Sequence, residues 1–464
     1  MVRAMIHVFN HYVPVRVVIL AALEGLVLVM AAYAGVYLHV AISGGTATEL
    51  SSNAGIFAFG TMLVMAGMGL YQPDLWSNKA FLALRLAVSF LLAALLMAVF
   101  SQATHMTNPD MAALGIALTL ALAGSVLLRT AFHQWSKTDA FKPRVLVLGT
   151  GTRAVKLAAH DDHDSHHEVV GFLAMRPSRH YVPESRVLTM KPDESLLSVA
   201  EKLAIDQIVI AVRDRRGGAL PIDQLLECKA KGVKIMEMPT FFEREYRQVL
   251  LESLNPSWMV LGAGFRKDKL SSAVKRVFDL IASVALLVIT WPVMLITALC
   301  IYLESGGPVL FRQERVGKDG RNFDLYKFRS MRQDAEKCGT PQWAKANDDR
   351  TTRIGGFIRK VRIDELPQVL NVLKGDMSFV GPRPERPFFV DQLAKQIPYY
   401  ALRHSAKPGI TGWAQVRYPY GATVDDAIEK LQYDLYYVKN HSLFLDFMIL
   451  ISTVEVVLWG KGAR

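Results

Sequence analysis

Val277-Phe278-Asp279-Leu280-Ile281-Ala282-Ser283-Val284-Ala285-Leu286-Leu287-Val288-Ile289-Thr290-Trp291-Pro292-Val293-Met294-Leu295-Ile296-Thr297-Ala298-Leu299-Cys300-Ile301-Tyr302-Leu303 carries one charge, Asp279, and one proline in its middle. Basic residues flank it on both sides, Lys275 and Arg276 before and Arg312 and Arg315 after. Its length suits a bilayer, but positive flanks resist translocation, so both ends are expected on one face. Pro292 removes a helical donor and crowds the preceding turn, which permits a helix-break-helix hairpin that returns to the side it left. The competing reading is a proline-kinked true span. Which of the two holds decides where everything downstream resides.

Upstream, four apolar segments run from about Val15 to Val40, Ile56 to Leu70, Phe81 to Phe100 and Met111 to Leu128. Most approach the ~20 residues a crossing needs, and the second is short. No Lys or Arg occurs between Ala41 and Ala54 or between Ser101 and Asp110. Positive charge collects instead at Arg3, Arg16, Lys79, Arg85, Arg129, Lys137, Lys142 and Arg144. The expectation is a membrane α-helical bundle of four spans over residues 1–137, with both ends in the cytoplasm. Ala32-Tyr33-Ala34 mimics a signal-peptidase site, but the long apolar stretch and the spans after it favour an uncleaved anchor.

Residues 142–265 read as a Rossmann-like α/β domain. Arg144-Val145-Leu146-Val147-Leu148 is a buried strand, followed by Gly149-Thr150-Gly151-Thr152-Arg153-Ala154 and a helical pattern. Further strands are expected at Val169 to Leu173, Gln207 to Val212 and Val233 to Met236. A dinucleotide site wants an acid after the second strand, where Arg176-Pro177 stands, so a structural or regulatory role without redox work is expected. His160-Asp161-Asp162-His163-Asp164-Ser165-His166-His167 reads as a solvated loop rather than a metal site.

The expectation for residues 270–464 is a third unit, an α/β catalytic domain with a re-entrant membrane helix. Asp364-Glu365 stand where one helical pattern, Arg353 to Arg362, stops and another, with Pro367 near its start and Gly375 past its end, begins. A helix N-terminus keeps a carboxylate ionised and attracts phosphate. An ionised acid beside arginines is what a phosphoryl-group nucleophile needs. A capping acid in a solvated salt bridge is the competing reading for Asp-Glu taken alone. Gly381-Pro382-Arg383-Pro384 presents Arg383 from a stiff loop, a fork ready for phosphate oxygens. Tyr326-Lys327-Phe328-Arg329-Ser330-Met331 alternates as a strand and places Lys327 and Arg329 on one face. Arg332 and Lys337 read as solvated charges. Leu443 to Leu458 is apolar but holds Asp446 and Glu455, which fits an interfacial or packed helix.

Together these motifs resemble the bacterial polyprenyl-phosphate phosphoglycosyl transferases, a monotopic superfamily that initiates lipid-linked polysaccharide assembly. The resemblance covers about the last 190 residues. It also includes Lys275-Arg276-Val277-Phe278-Asp279, Pro308-Val309-Leu310-Phe311-Arg312-Gln313-Glu314-Arg315-Val316-Gly317 and Lys407-Pro408-Gly409-Ile410-Thr411-Gly412-Trp413-Ala414-Gln415-Val416. It implies that Asp364 attacks the sugar-bearing phosphate of a UDP-sugar, expels UMP and passes the phosphosugar to undecaprenyl phosphate. It implies Mg²⁺ near Asp364 and Glu365, with Glu365 as a supporting acid, either a base or a metal-site residue. Lys327, Arg329, Arg359 and Arg383 are the expected phosphate-binding residues, and for Arg359 a simple ion pair on a helix face competes. The family's re-entrant helix usually breaks at Ser-Pro; here Trp291 precedes Pro292. Small members carry Asn-Gly-Arg where this chain has Arg417-Tyr418-Pro419-Tyr420-Gly421-Ala422-Thr423, so sugar selectivity is not carried over, and glucose and galactose lead. The large exopolysaccharide- and O-antigen-initiating members further imply a homodimer seated upstream, and a bacterial inner membrane location with catalysis on the cytoplasmic face.

Composition agrees with an enzyme of polyanionic substrates at a lipid bilayer. The 464 residues are 51% hydrophobic with net charge +11. No recognition helix, zinc pattern or aromatic-basic repeat points to nucleic acid. Cys228, Cys300 and Cys338 are scattered and read as reduced thiols. Membrane-anchored nucleotide-sugar dehydratases or epimerases share the bundle-plus-Rossmann arrangement, but they need a Tyr-x-x-x-Lys pair that occurs nowhere in this sequence. A non-enzymatic assembly scaffold would have no use for Asp364-Glu365 among phosphate-binding motifs.

Overall fold

The computed structural model describes residues 5–8, 11–44, 54–71, 79–103, 111–136, 142–160, 167–175, 180–191, 193–212, 220–254, 269–332, 350–418, 421 and 423–459. The chain divides into two compact units, with the boundary between Tyr246 and Arg247.

In the N-terminal unit all four apolar stretches are helical: Val15–Ser43, Ala54–Gly67, Lys79–Ala103 and Met111–Ser136. The expectation of four spans is met only in part. Val15–Ser43 and Ala112–Trp135 are long and apolar enough to cross a membrane, whereas Ala54–Gly67 and Leu82–Ala98 are shorter apolar runs. Fourteen residues rise about 21 Å, well below the ~30 Å hydrocarbon core. The short helix stops at Gly69, left-handed at φ 76°, where Leu70 N returns to Met65 O and Gly69 N to Ala66 O, and two arginines take carbonyls that follow it. Arg85 Nη1 donates to Met68 O at 2.8 Å and Arg129 Nη1 to Leu70 O at 2.8 Å. Arg129 is itself held by Glu24, Nε to Oε1 at 2.5 Å and Nη2 to Oε2 at 2.9 Å, all buried. A buried charge on an apolar helix is costly unless paired in this way.

The same unit contains a five-stranded parallel sheet formed by Arg144–Leu148, Glu168–Ala174, Val187–Thr189, Gln207–Ile210 and Lys234–Glu237. Numbered along the chain, these strands lie in the order 3-2-1-4-5, with the first in the centre. Leu146, Leu148, Leu173, Ile208 and Ile210 build its core with the helical residues Leu196, Val199, Leu225 and Cys228. Gly149, at φ +118°, sends its N–H to Leu173 O, and the helix Thr152–Ala159 begins after Gly151. The strand Val187–Thr189 is too short to leave a pattern in the sequence. His163 and its acidic neighbours at 161–166, Arg176-Pro177, and Pro419-Tyr420 lie outside the described residues.

The C-terminal unit begins at Arg247, inside the range the sequence assigns to the α/β domain. The reason is packing. Val249 and Leu254 join the core of Trp413, Leu431, Leu435, Tyr436 and Ile449, and Val249 N donates to Gln432 O at 3.0 Å. A hairpin, Leu310–Val316 with Asn322–Phe328, turns at Asp319, which is left-handed at φ 54°. Two short parallel strands, Ser378–Val380 and Gly409–Thr411, pair beside glycines. A Cβ on Gly381 would meet Lys407 O at 2.2 Å, and one on Gly412 would meet Gly381 O at 2.2 Å. Only glycine allows that approach.

The helix Lys269–Ser305 runs through Pro292 without interruption of helical backbone, so the expected break does not appear as a gap in the helix. Its middle is bare: Ile281, Val288, Ile289, Leu295 and Ile296 are all more than 60% exposed. Both of its ends are tied to the rest of the C-terminal unit. Near the start, Asp279 accepts from Ser378 Oγ at 2.9 Å and Phe379 N at 3.1 Å, and Lys275 pairs with Asp446 at 2.5 Å. At the far end, Arg329 Nη2 donates to Ser305 O and Gly306 O, while Glu304 accepts from Arg353 N at 2.9 Å. Asp446 also accepts from Tyr437 OH at 2.7 Å, and Asp446 and Glu455 are buried, so the last helix, Leu443–Trp459, is packed by its acids as expected.

Candidate active site

Thr352 caps the helix Arg353–Lys360, its hydroxyl accepting from Gly355 N at 2.9 Å. Arg362 then turns left-handed at φ 60°, and Ile363–Gln368 forms a 3₁₀ segment that passes into the helix Val369–Lys374. Gly375, left-handed at φ 95°, ends it as the sequence predicts. The adjacent acids therefore open a 3₁₀ turn rather than an α-helix.

The two carboxyls part company. Glu365 Oε1 accepts from Lys327 Nζ at 2.8 Å and from Arg383 Nη2 at 2.8 Å, with Arg362 Nη1 at 4.0 Å from Oε2. Burial alone would raise its pKa, but Arg383, Lys327 and the Lys327 hydrogen bond outweigh it and hold Glu365 well below the usual range. Asp364 is 8% exposed and accepts no hydrogen bond or ion pair among the described residues. Burial raises its pKa, assisted by Glu365 and opposed by Lys327, Arg383 and Arg359. The depression expected of Asp364 falls on its neighbour. Burial likewise draws the Lys327 ammonium below its usual range, against the pull of Glu365.

Each cation is held from behind. Asn371, fully buried, donates to Asp324 O at 2.7 Å and accepts from Tyr326 N at 3.0 Å, locking the strand that carries Lys327 to the helix after the acids. Arg403 Nη2 donates to Arg383 O at 2.9 Å and pairs with Asp434 at 2.8 Å. Burial pushes Asp434 up to about 6 despite Arg403. Arg315 Nη1 donates to Pro384 O at 3.0 Å, fixing the other side of the Arg383 loop. Arg359 reaches Thr351 Oγ1 at 3.3 Å and lies close enough to stabilise the Asp364 charge. Arg329, expected beside Lys327, instead donates to Ser305 and Gly306, where it caps the membrane helix. It stands just past the strand's last residue, Phe328, so the alternation that would align it with Lys327 has ended.

Asn371, Arg403, Asp434 and Arg315 were not singled out for the site by sequence. Only Arg315 and Asn371 carried any signal, through their positions in the motifs around them. A hard divalent cation takes oxygen donors and needs few from protein. Asp364 offers a carboxylate with no hydrogen bonds among the described residues, and Glu365 stands next to it. No group of three or more His, Cys, Asp or Glu occurs among the described residues. The donor set fits magnesium with most of its shell left to water and substrate.

The sequence pattern of the bacterial sugar transferase family matches residues 270–460. An uncharacterized sugar transferase of Bacillus subtilis, EpsL, is 44% identical over 191 residues, which is 41% of this chain and 90% of that protein. This chain belongs to the bacterial sugar transferase family. A second sugar transferase relative, the UDP-N-acetylgalactosamine-undecaprenyl-phosphate N-acetylgalactosaminephosphotransferase of Aeromonas hydrophila, is 53% identical over 191 residues, 41% of this chain and 45% of that protein. The UDP-glucose:undecaprenyl-phosphate glucose-1-phosphate transferase of Xanthomonas campestris is 44% identical over 202 residues, 43% of this chain and 42% of that protein. The chain thus spans about half the length of these two relatives. Every residue of the Lys327–Asp364–Glu365–Arg383 cluster falls within the family match.

Proposed function

We propose that the protein transfers sugar-1-phosphate from a UDP-sugar to undecaprenyl phosphate, initiating exopolysaccharide or O-antigen assembly. The observation that carries this reading is the division of labour between adjacent acids. Glu365 is immobilised by two cations, while Asp364 is left unbonded among the described residues in their field. An Oδ of Asp364 attacks the sugar-bearing phosphorus, its bond to the bridging oxygen breaks, and UMP departs with that electron pair. The acceptor phosphate then attacks the aspartyl phosphosugar and regenerates the carboxylate. Lys327 and Arg383 neutralise the phosphoryl oxygens, and Arg359 keeps Asp364 ionised. Magnesium held by Asp364 and Glu365 would supply further neutralisation of the diphosphate. Glu365 organises the cations.

A re-entrant helix fits the anchoring of Lys269–Ser305. A true span separates its ends by ~30 Å of hydrocarbon, and a hydrogen-bonded α/β domain could not reach both from one side. We place that domain on the cytoplasmic face of the inner membrane, where UDP-sugars are, with the N-terminal helices as a four-span bundle and a homodimer seated on the upstream units. The strand order 3-2-1-4-5 supports a Rossmann-like domain. Its glycine turn is already engaged, Thr150 O accepting from Tyr181 N at 2.9 Å, which favours a structural role.

Full-length protein given radiolabelled UDP-glucose, UDP-galactose and UDP-N-acetylgalactosamine with undecaprenyl phosphate and Mg²⁺ should form lipid product and UMP from at least one donor. No product from a full donor panel would overturn the proposal. Arg383→Lys should lose about 100-fold in kcat/KM, because a point charge on a flexible stem cannot both pair with Glu365 and grip a phosphate. Steady-state kinetics of the folded variant check this, and near-native efficiency would make Arg383 merely structural.

A further inference from the structure

Beside Gly375, away from the acids, a second group of cations gathers at the root of the membrane helix. Arg276 Nη2 and Lys407 Nζ lie 3.6 and 3.7 Å from the point a Gly375 Cβ would occupy. Lys318 adds positive charge within electrostatic reach of Lys407. Arg276 serves the fold directly, donating to Val372 O at 2.6 Å and Leu373 O at 2.8 Å and so closing the end of the helix before Gly375. Lys407 and Lys318 have no such role. Both are half-buried, and neither ammonium makes a hydrogen bond or ion pair among the described residues. The nearby carboxylates do not neutralise them. Asp279 is committed to Ser378 and Phe379, and Asp376 forms no ion pair with Lys407. Burial and the neighbouring Arg276 draw Lys407 below its usual range, while Asp279 and Asp376 pull the other way.

Half-buried like charges whose ammonium groups form no ion pair among the described residues favour an anion. Two N–H donors within 4 Å of a common point can both reach oxygens of one phosphate, whose hydrogen bonds run about 2.8 Å. The depth is set by the helix. Leu270, Val274, Val277 and Ile281, which surround Arg276 in sequence, are 43–70% exposed and apolar, so lipid must cover them. Arg276 stands on that stretch with its guanidinium held at the carbonyls of Val372 and Leu373, which sets the cations beside an exposed apolar helix face. The charges that dominate at Asp364 are Lys327, Glu365, Arg383 and Arg359, not these. We propose that Arg276, Lys407 and Lys318 form a binding site for the headgroup phosphate of an anionic phospholipid, separate from the catalytic cations. This holds whether or not the transferase reaction is as described above, since it uses none of its residues.

The test uses full-length protein in nanodiscs of phosphatidylcholine and phosphatidylglycerol mixed three to one, with retained lipid counted by native mass spectrometry. Wild type should keep phosphatidylglycerol in preference to phosphatidylcholine. Lys407→Gln and Lys318→Gln should each lower that preference about fivefold, while Lys395→Gln, which removes an exposed charge elsewhere, should leave it unchanged. Thermal melts identify any variant that fails to fold, and Lys407→Arg, which keeps the charge, should retain the lipid. Retention equal to wild type in both glutamine variants would overturn the site. So would displacement of the phosphatidylglycerol by one equivalent of undecaprenyl phosphate, which would assign the cations to the acceptor.

Discussion

Asp364→Asn should abolish the covalent intermediate and reduce turnover about 10⁴-fold or more, yet melt no lower than wild type. The two halves of this expectation come from one observation. Asp364 is buried without a hydrogen-bond donor among the described residues, and its pKa is raised by that burial. A group whose pKa is raised by folding binds its proton more tightly in the folded state. Its charge therefore costs stability at neutral pH, and that cost disappears as pH falls through the folded pKa. Asparagine removes both the charge and the nucleophile. Glu365→Gln should behave in the opposite way. The depressed Glu365 contributes stability above the ordinary carboxylate range, and loses it as pH falls through its own lowered pKa. Removing its charge strands Lys327 beside Arg383, at a cost of about 3 kcal/mol. In a unit of this size that is roughly 10 °C in melting temperature. Intact mass after incubation with UDP-sugar alone, together with thermal melts of the three proteins, checks both. An adduct that survives in the asparagine variant would remove Asp364 from the chemistry. A glutamine variant as stable as wild type would show that the cations find other partners.

The sequence discloses what local rules govern. Pro367 near the start and Gly375 past the end bracket a helix because the missing donor and the left-handed cap are properties of single residues. The central strand Arg144–Leu148 and the turn at Gly149 are legible for the same reason. The acids were legible as a pair, but their division of labour was not. That Glu365 takes the cations and Asp364 remains bare depends on Lys327 from a strand 38 positions earlier and Arg383 from a loop 18 later. Arg403 and Asp434 are not legible in the sequence because this buried pair holds a main-chain oxygen of Arg383, a role that leaves no spacing. Period-two alternation aligns Arg329 with Lys327 only within the strand, which ends at Phe328. The capture of Arg329 by Ser305 and Gly306 is a tertiary event. The same is true of Asp446, an acid in an apolar helix that answers Lys275 from 171 positions away.

That last pair bears on topology, and on whether the proposed reaction has access to its substrates. Single cysteines at Ser271, in the first turn of the membrane helix Lys269–Ser305, and at Lys318, beyond its end, are placed on a cysteine-free background. Both should resist a membrane-impermeant maleimide in intact spheroplasts and react in inverted vesicles. The expectation follows from the anchors. Lys275 and Asp279 fasten the start of the helix to Asp446, Ser378 and Phe379, and Ser305 and Glu304 fasten its end to Arg329 and Arg353. Pulling either end across the bilayer would break these bonds and leave Asp279, Arg329 and the strand Ser378–Val380 with unmet polar groups, each costing several kcal/mol in hydrocarbon. Pro292 lowers the cost of bending but does not hold the ends together. Pro292→Ala, which restores the missing donor, should therefore leave most molecules with Lys318 shielded. Asp279→Leu combined with Lys275→Leu removes the fastening at the start and a positive flank, and should expose a larger fraction. Labelling of the Lys318 position alone in wild-type spheroplasts would establish a true span. Asp364 would then face a compartment without UDP-sugar, and the anchors would have to be satisfied through the membrane.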